Sequence, residues 1–147
     1  MNPYHFLSQQ NTHNPNHGPD SGNGADDQAP APRILVVDDE ALIADTIVQI
    51  LNRNGFIAEA AYSGAEAVDL AKRHCPELVL SDVMMPNVDG VEAAIQIREA
   101  CPDTRIVLFS GQAATVEILA RARALGHEFE LLPKPIHPTQ LIKHLRQ

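Results

Sequence analysis

Three carboxylates, a hydroxyl and a lysine each stand at the end of a short apolar run. Asp38 and Asp39 follow ILVV, Asp82 follows LVLS, Ser110 follows VLF and Lys134 follows LLP. Crowded carboxylates raise one another's pKa unless a cation joins them. Oxygen ligands select Mg²⁺ or Mn²⁺, and the set contains no Cys or His that would indicate zinc. Since a carboxylate can attack phosphorus to give an acyl phosphate, these residue types indicate phosphoryl-transfer chemistry.

The elements that must bring these side chains together are short aliphatic runs alternating with amphipathic stretches. The runs predict strands over 33–37, 56–60, 77–81, 104–109 and 129–132. The amphipathic stretches predict helices over 41–53, 64–74, 90–100, 113–125 and 138–147. Five strand–helix repeats predict an α/β fold with a five-stranded parallel sheet and helices on both faces. In such a sheet, ligands bind at the carboxyl ends of the strands, where all five candidate residues stand.

Local signals at the helix ends support this division. Ser63 and Glu66 have the spacing of a capping box, and Asn54-Gly55 is typical of a helix end. Glu40 is expected in the first turn of its helix, where the helix dipole favours an acid.

The composition is that of one ordinary domain with an aliphatic core. Of 147 residues 44% are hydrophobic, only 4% are aromatic, and Trp is absent. The net charge of −8 argues against direct binding to nucleic acid. No apolar run approaches the roughly 18 residues of a membrane span and no secretory signal is apparent, so we expect a cytoplasmic protein. Residues 1–32 contain few apolar residues and predict a disordered tail, which leaves 33–147 as the folded domain.

The two cysteines stand in equivalent contexts. Cys75-Pro76 and Cys101-Pro102 both occupy helix-to-strand junctions, at the opposite edge of the predicted sheet from the acids. Two cysteines do not make a disulfide framework, so we expect small, reduced, partly buried residues. A regulatory disulfide is the alternative.

Four motifs occur in order: ILVVDDE, LVLSDVMMPNVDG, VLFSG and LPKPI. In these motifs the region from residue 33 to about 147 resembles a response regulator receiver domain of two-component signalling. The resemblance implies a flavodoxin-like receiver fold with strand order 2-1-3-4-5. It also implies a signalling receiver in a phosphorelay rather than an enzyme, although one that assists its own phosphorylation and dephosphorylation.

The resemblance assigns roles to the residues that match the motifs. Asp82 would be the phosphoacceptor, forming an aspartyl phosphate. Mg²⁺, or alternatively Mn²⁺, would be bound directly by Asp39 and Asp82, and by Asp38 mostly through water. The backbone carbonyl of Met84 would be a further ligand.

Two residues of the later motifs would act on the phosphoryl group. Lys134 would bind a phosphoryl oxygen, and its peptide bond to Pro135 would be cis. Ser110 would move towards the phosphoryl group and report its arrival. A histidine kinase or histidine phosphotransfer protein would be the donor, and an unknown downstream protein would read the change. A phosphorylation-dependent homodimer is a further expectation left open.

The sequence departs from the family pattern in three ways. Leu131 stands where many receivers carry a Tyr or Phe that moves with the hydroxyl, the last helix is short, and no output domain follows. We therefore expect a stand-alone receiver. One alternative is a pseudo-receiver that signals without phosphorylation. Another is a phosphatase with an aspartate nucleophile, which would need a second acid where Met84 stands.

Overall fold

The computed structural model describes residues 30–83, 90–111 and 115–147. The predicted disordered tail therefore lies almost entirely outside the described residues. Ala31–Gln147 forms one compact unit. Its strands are β1 (Arg33–Val37), β2 (Ile57–Ala61), β3 (Leu78–Asp82), β4 (Arg105–Ser110) and β5 (Glu130–Pro133). Its helices are α1 (Ala41–Arg53), α2 (Gly64–Arg73), α3 (Gly90–Ala100), α4 (Thr115–Ala124) and α5 (Pro138–Leu145).

The five strands form one parallel sheet in the order β2-β1-β3-β4-β5. This confirms both the predicted α/β class and the strand order that the family resemblance implied. Strand order reverses between β1 and β3, so the carboxyl ends of these two neighbouring strands border the crevice in which such folds bind ligands.

Each of the four later strands is shifted by one residue towards the C-terminus relative to its predicted range, with the same length. Pairing accounts for the later ends of β3 and β4: Asp82 is paired with Phe109, and Ser110 with Pro133. Asp82 and Ser110 are therefore the last residues of β3 and β4 rather than the first residues after them. The backbones of both residues are fixed by the sheet.

Each face of the sheet carries its own apolar core. Alternate residues of β1 serve the two sides, because successive side chains of a strand point to opposite faces. Leu35 and Val37 pack with α2, α3 and α4, in a cluster that includes Val68, Ala71, Val91, Ile97 and Ala122. Ile34 and Val36 pack with α1 and α5, in a cluster that includes Ala44, Leu51, Leu141, Ile142 and Leu145. Burial on both faces explains why residues 34–37 of β1 are all apolar.

The helix ends follow the sequence signals with two differences. Ser63 caps α2 by accepting the Glu66 amide at 3.1 Å, but the Glu66 carboxylate accepts the amide of Tyr62 rather than that of Ser63. Glu40 is the N-cap of α1, so the expected acid in the first turn is absent. Gly55 follows α1 with φ of +88°, a conformation that favours glycine.

At the edge of the sheet, side chains bind one amide of β2 and the amide of the residue that follows β2. The Asn52 side-chain oxygen accepts the Ala58 amide at 2.8 Å, and the Glu66 carboxylate accepts the Tyr62 amide at 3.2 Å. At the other edge, Arg105 of β4 and Glu130 of β5 form a bidentate ion pair, in which Arg105 Nη2 lies 2.6 Å from Glu130 Oε1. Hydrogen bonding from the Arg105 guanidinium lowers the pKa of Glu130 despite partial burial of the carboxyl.

The expectation that both cysteines are reduced is wrong, because Cys75 and Cys101 form a disulfide with their Cα atoms 5.7 Å apart. The physical reason lies in the sheet. Pairing of β3 with β4 sets Leu78 opposite Arg105, which brings the two helix-to-strand junctions side by side. The two cysteines, which have equivalent sequence contexts, are therefore also adjacent in space.

The last helix, α5, has eight residues, in agreement with the short helix predicted. His137 caps it by accepting the Thr139 amide at 3.2 Å, and Pro138 occupies the first turn. Among the helices of the described residues, none has the length and apolar character needed to cross a membrane.

Candidate functional site

The candidate residues meet at one edge of the sheet. The register between β1 and β3 sets Val37 opposite Ser81, so Asp38 and Asp82 are the next neighbours along the two strands. The Asp38 amide donates to the Ala61 carbonyl at 3.1 Å, which continues the pairing of β1 with β2 past the end of the strand. The predicted convergence of distant segments is thus produced by the parallel sheet.

The three carboxylates form a compact cluster. One oxygen each from Asp38, Asp39 and Asp82 lies within 4.8 Å of the others. Asp38 and Asp82 are buried, with 4% and 8% of their surface exposed, whereas Asp39 faces solvent. The cluster is therefore open on the Asp39 side and closed on the side of the sheet.

The pKa of the Asp38 carboxyl is raised in this cluster. Burial raises the pKa of its carboxyl, and the charges of Asp82 and Asp39 raise it further. A hydrogen bond from the Glu40 amide at 2.9 Å and the charge of Lys134 act in the opposite direction without cancelling the rise. The negative charge at Asp38 is therefore incompletely compensated by the protein's own groups.

Lys134 supplies the cation of the site. Its ammonium Nζ lies 2.9 Å from Asp82 Oδ2, although the two residues are 52 positions apart in the sequence. The Lys134 amide donates to the Ser110 carbonyl at 3.0 Å, which fixes the start of the loop after β5. The peptide bond between Lys134 and Pro135 is cis, as the resemblance implied.

Ser110 lies at the same edge and is 2% exposed. Its hydroxyl donates to the carbonyl of Gly111 at 2.9 Å. The serine is one position beyond Phe109, the residue paired with Asp82. Met84, whose carbonyl was expected to bind metal, lies outside the described residues.

Gly90 is a residue next to the site that the sequence predicted only as the first residue of a helix. Its amide donates to the Val83 carbonyl at 3.3 Å. A Cβ atom built on Gly90 would lie 2.5 Å from the Asp82 carbonyl oxygen and 2.6 Å from Val83 Cα. Only glycine allows α3 to start this close to the strand that carries Asp82. The Asp89-Gly90 dipeptide was the available signal.

The donor set fits a hard divalent cation. All three clustered side chains offer carboxylate oxygens, the ligands that Mg²⁺ and Mn²⁺ prefer. Burial raises the pKa of the Asp38 carboxyl, and a nearby cation would favour its ionised form. Asp38, Asp39 and Asp82 are therefore the described residues that could hold such an ion.

The aromatic residue of the β5 region, Phe129, is buried in the core and contacts Arg98. Phe129 is 9% exposed, lies just before β5, and has the Arg98 guanidinium 4.9 Å from its ring centroid. Leu131 packs partly buried against the core beneath α2, α3 and α4. Leu131, the position of the expected departure from the family pattern, is thus an aliphatic residue packed against the core.

Fold and site together define a class: a doubly wound α/β domain with an acidic pocket and a lysine at the carboxyl ends of its strands. Residues 34–146 match the family model described as the response regulator receiver domain. The chain belongs to this family, and it is a receiver domain of two-component signalling.

Curated relatives and solved structures that are similar to this chain are also response regulators or receiver domains. The chain is 35% identical over 114 residues to the response regulator MprA of Mycobacterium sp. (strain KMS), a match covering 78% of this chain and 49% of that protein. It is similar to a CheY-like receiver domain protein of Methanospirillum hungatei JF-1, with TM-score 0.72, 26% identity, and coverage of 79% and 91%. Chemotaxis protein CheY4 of Vibrio cholerae gives TM-score 0.68 at 27% identity, covering 79% of this chain and 97% of that one.

The chain spans about half the length of the curated relatives it matches.

Proposed function

We propose that Asp82 is the phosphoacceptor of this receiver and takes its phosphoryl group from a histidine kinase or a histidine phosphotransfer protein. The observation that carries the proposal is the convergence of three carboxylates within 4.8 Å, with the Lys134 ammonium 2.9 Å from Asp82. Asp82 is buried and is the last residue of the central strand β3, so its carboxylate is held at a fixed position. Fixed positioning and charge stabilisation are the main requirements of phosphoryl transfer.

In the proposed reaction, a carboxylate oxygen of Asp82 forms a bond to phosphorus. The bond between phosphorus and the donor's imidazole nitrogen breaks, and that nitrogen keeps the electron pair. The product is an acyl phosphate on Asp82. Because the transferred group is anionic, attack by a carboxylate requires nearby positive charge.

Lys134 supplies part of that charge from the protein. Its Nζ already binds one Asp82 oxygen, and it would bind a phosphoryl oxygen in the product. Ser110 would exchange its hydrogen bond to the Gly111 carbonyl for one to the phosphoryl group. This exchange changes a buried contact at the end of β4, and thereby the surface that a partner protein reads.

Asp38, Asp39, Asp82 and the carbonyl of Met84 would hold the Mg²⁺ ion, for which Mn²⁺ could substitute. The ion supplies neutralisation of the crowded carboxylates and of the phosphoryl oxygens. This assignment is supported by the all-oxygen donor set and by the raised pKa of the Asp38 carboxyl. The same groups would assist phosphorylation and later hydrolysis of the acyl phosphate.

The remaining proposals concern the setting of the domain. We infer a receiver at residues 33–147 preceded by a disordered tail over 1–32, a cytoplasmic location, and an output read by a downstream protein. A phosphorylation-dependent homodimer is one form that this output could take. The net charge of −8 supports a protein partner over nucleic acid.

The test is incubation of the full chain with acetyl phosphate and Mg²⁺, followed by intact mass measurement. Wild type should gain one phosphoryl group, and Asp82→Asn should gain none, because the amide is not a nucleophile. Asp69→Asn, which removes an exposed acid of α2, is the matched control and should behave as wild type. Lys134→Ala should slow phosphorylation by about tenfold or more, whereas Lys143→Ala on α5 should not.

The proposal fails if wild type gains no phosphoryl group, or if Asp82→Asn gains as much as wild type. Chelation of the metal separates the two halves of the proposal. Phosphorylation that is unchanged in excess chelator would contradict the metal assignment while leaving Asp82 as the acceptor.

A further inference from the structure

The disulfide lies at the edge of the sheet opposite the phosphoacceptor site. Cys75 follows α2 and Cys101 follows α3, and an open groove of about 270 Å³ is lined by both cysteines together with Pro76, Asp103 and Thr104. The two sulfurs have different environments. Cys75 is exposed, whereas Cys101 is 2% exposed and belongs to the core beneath α2 and α3.

We propose that Cys75 and Cys101 are a reversible dithiol–disulfide pair that responds to low-molecular-weight disulfides, with Cys75 as the first thiol to react. In a reducing compartment, disulfides are characteristically transient or regulatory rather than permanent. The exposure difference gives the pair one accessible sulfur and one protected sulfur. This is the arrangement that lets a mixed disulfide form at one residue and be resolved by the other.

The contacts around the pair allow it to open and close again. Thr104 Oγ1 donates to the Pro76 carbonyl at 2.6 Å, and the Arg105 amide donates to the Glu77 carbonyl at 3.0 Å. These bonds join the same two junctions without using sulfur. Reduction would therefore leave the thiols close to each other, and the ring could re-form without refolding.

The chemistry balances without a further reactant. The Cys75 thiolate attacks a small disulfide, forms a mixed disulfide and releases one small thiolate. Cys101 then loses its proton and attacks the Cys75 sulfur, releasing the second small thiolate. In total the protein loses two protons and two electrons, and the small disulfide takes them up to become two thiols.

Formation of the disulfide would restrain the segment that contains Asp82. The bridge spans 26 positions and encloses β3 and α3. At its C-terminal end α3 is held by the bridge, and at its N-terminal end Gly90 lies against the backbone of Asp82 and Val83. The oxidised form should therefore restrain α3 and the strand beneath it more than the reduced form does.

The first test is a series of glutathione buffers from fully reduced to fully oxidised, with thiols trapped by alkylation and counted by intact mass. Wild type should switch between no alkyl groups and two. Cys101→Ser should acquire one glutathionyl group under native conditions, whereas Cys75→Ser should react about tenfold more slowly or not at all. Partial reaction of wild type followed by peptide mapping gives the same order without any variant and covers the case of a variant that does not fold.

The second test is hydrogen exchange on oxidised and reduced wild type. Exchange in α3 should be about threefold or more slower in the oxidised form, while α1, which lies outside the ring, should not change. Three results would overturn the proposal: a bridge that is reduced only in denaturant, a Cys75→Ser thiol as reactive as that of Cys101→Ser, or equal exchange of α3 in the two states. None of these measurements depends on phosphorylation of Asp82.

Discussion

Gly90→Ala is expected to destabilise the domain even though alanine is the better helix former. A Cβ at this position would lie 2.5 Å from the Asp82 carbonyl oxygen and 2.6 Å from Val83 Cα, distances that real Cβ atoms essentially never show. Both neighbours are backbone atoms of a strand end, so neither can rotate away. Either α3 or the end of β3 must shift.

The magnitude follows from two opposing terms. Alanine gains up to about 1 kcal/mol over glycine in a helix interior, and less at a first helical residue such as Gly90. Overpacking a well-packed site costs about 1–3 kcal/mol, and contact with backbone on two sides puts this case at the upper end. The net loss is therefore about 2 kcal/mol, which lowers the melting temperature by several degrees in a domain of this size.

The assay is urea unfolding followed by circular dichroism, with phosphorylation by acetyl phosphate as a second readout. For the stability measurement, Gly111→Ala is the steric control, since a Cβ there meets no atom within 4 Å. Gly90→Ala should lose stability and also accept phosphoryl groups more slowly, because the shift falls on the backbone of Asp82. A Gly90→Ala protein as stable as wild type, with unchanged phosphorylation, would refute the close approach of α3 to β3.

Three further results are expected. Asp38→Asn should stabilise the protein in chelator at neutral pH, because burial raises the pKa of this carboxyl and its charge is costly above that pKa; the gain should disappear on acidification below the carboxyl's ordinary value of 3.8, and thermal melts across pH test this. Glu130→Gln should cost about 0.5–1 kcal/mol at pH 7, since the pair with Arg105 is partly exposed. The pKa of Glu130 is lowered, so this contribution should shrink as pH falls below 4.5, and a constant difference from pH 7 to pH 3 in urea titrations would contradict the pairing. Reduction of the Cys75–Cys101 bridge should lower the free energy of unfolding by about 3.5 kcal/mol from loop entropy, as measured by urea midpoints with and without dithiothreitol, and a double Ser variant should not respond to the reductant.

Much of the fold could be predicted because its signals are local. Apolar runs such as 34–37 are buried on both sheet faces and read as strands without any knowledge of partners. The bounds of α1 and α3 also agree with prediction, since Asn54-Gly55 and Asp89-Gly90 mark an end and a start. Convergence of the acids and Lys134 followed from the rule that strand ends of a parallel sheet share one edge.

What sequence reasoning missed depends on distances across the sheet. The final residue of a strand is decided by its partner, which is why Asp82 and Ser110 belong to strands rather than to loops. The Cys75–Cys101 bridge depends on the register of β3 against β4, which the sequence of either junction does not contain. Similarly, the need for glycine at position 90 comes from a backbone approach between two elements and not from a turn.

The hydrogen bonds along β2 have a consequence for the behaviour of the protein at high concentration. An edge strand with unpaired amides is a template onto which a strand of another molecule can add. Here the amides of Ala58 and Tyr62 are already bound by Asn52 and Glu66, so an incoming strand would have to displace both side chains before it could pair. Addition of a strand at Ala58 and Tyr62 is thereby disfavoured, because two side-chain hydrogen bonds would be lost before backbone pairing could begin.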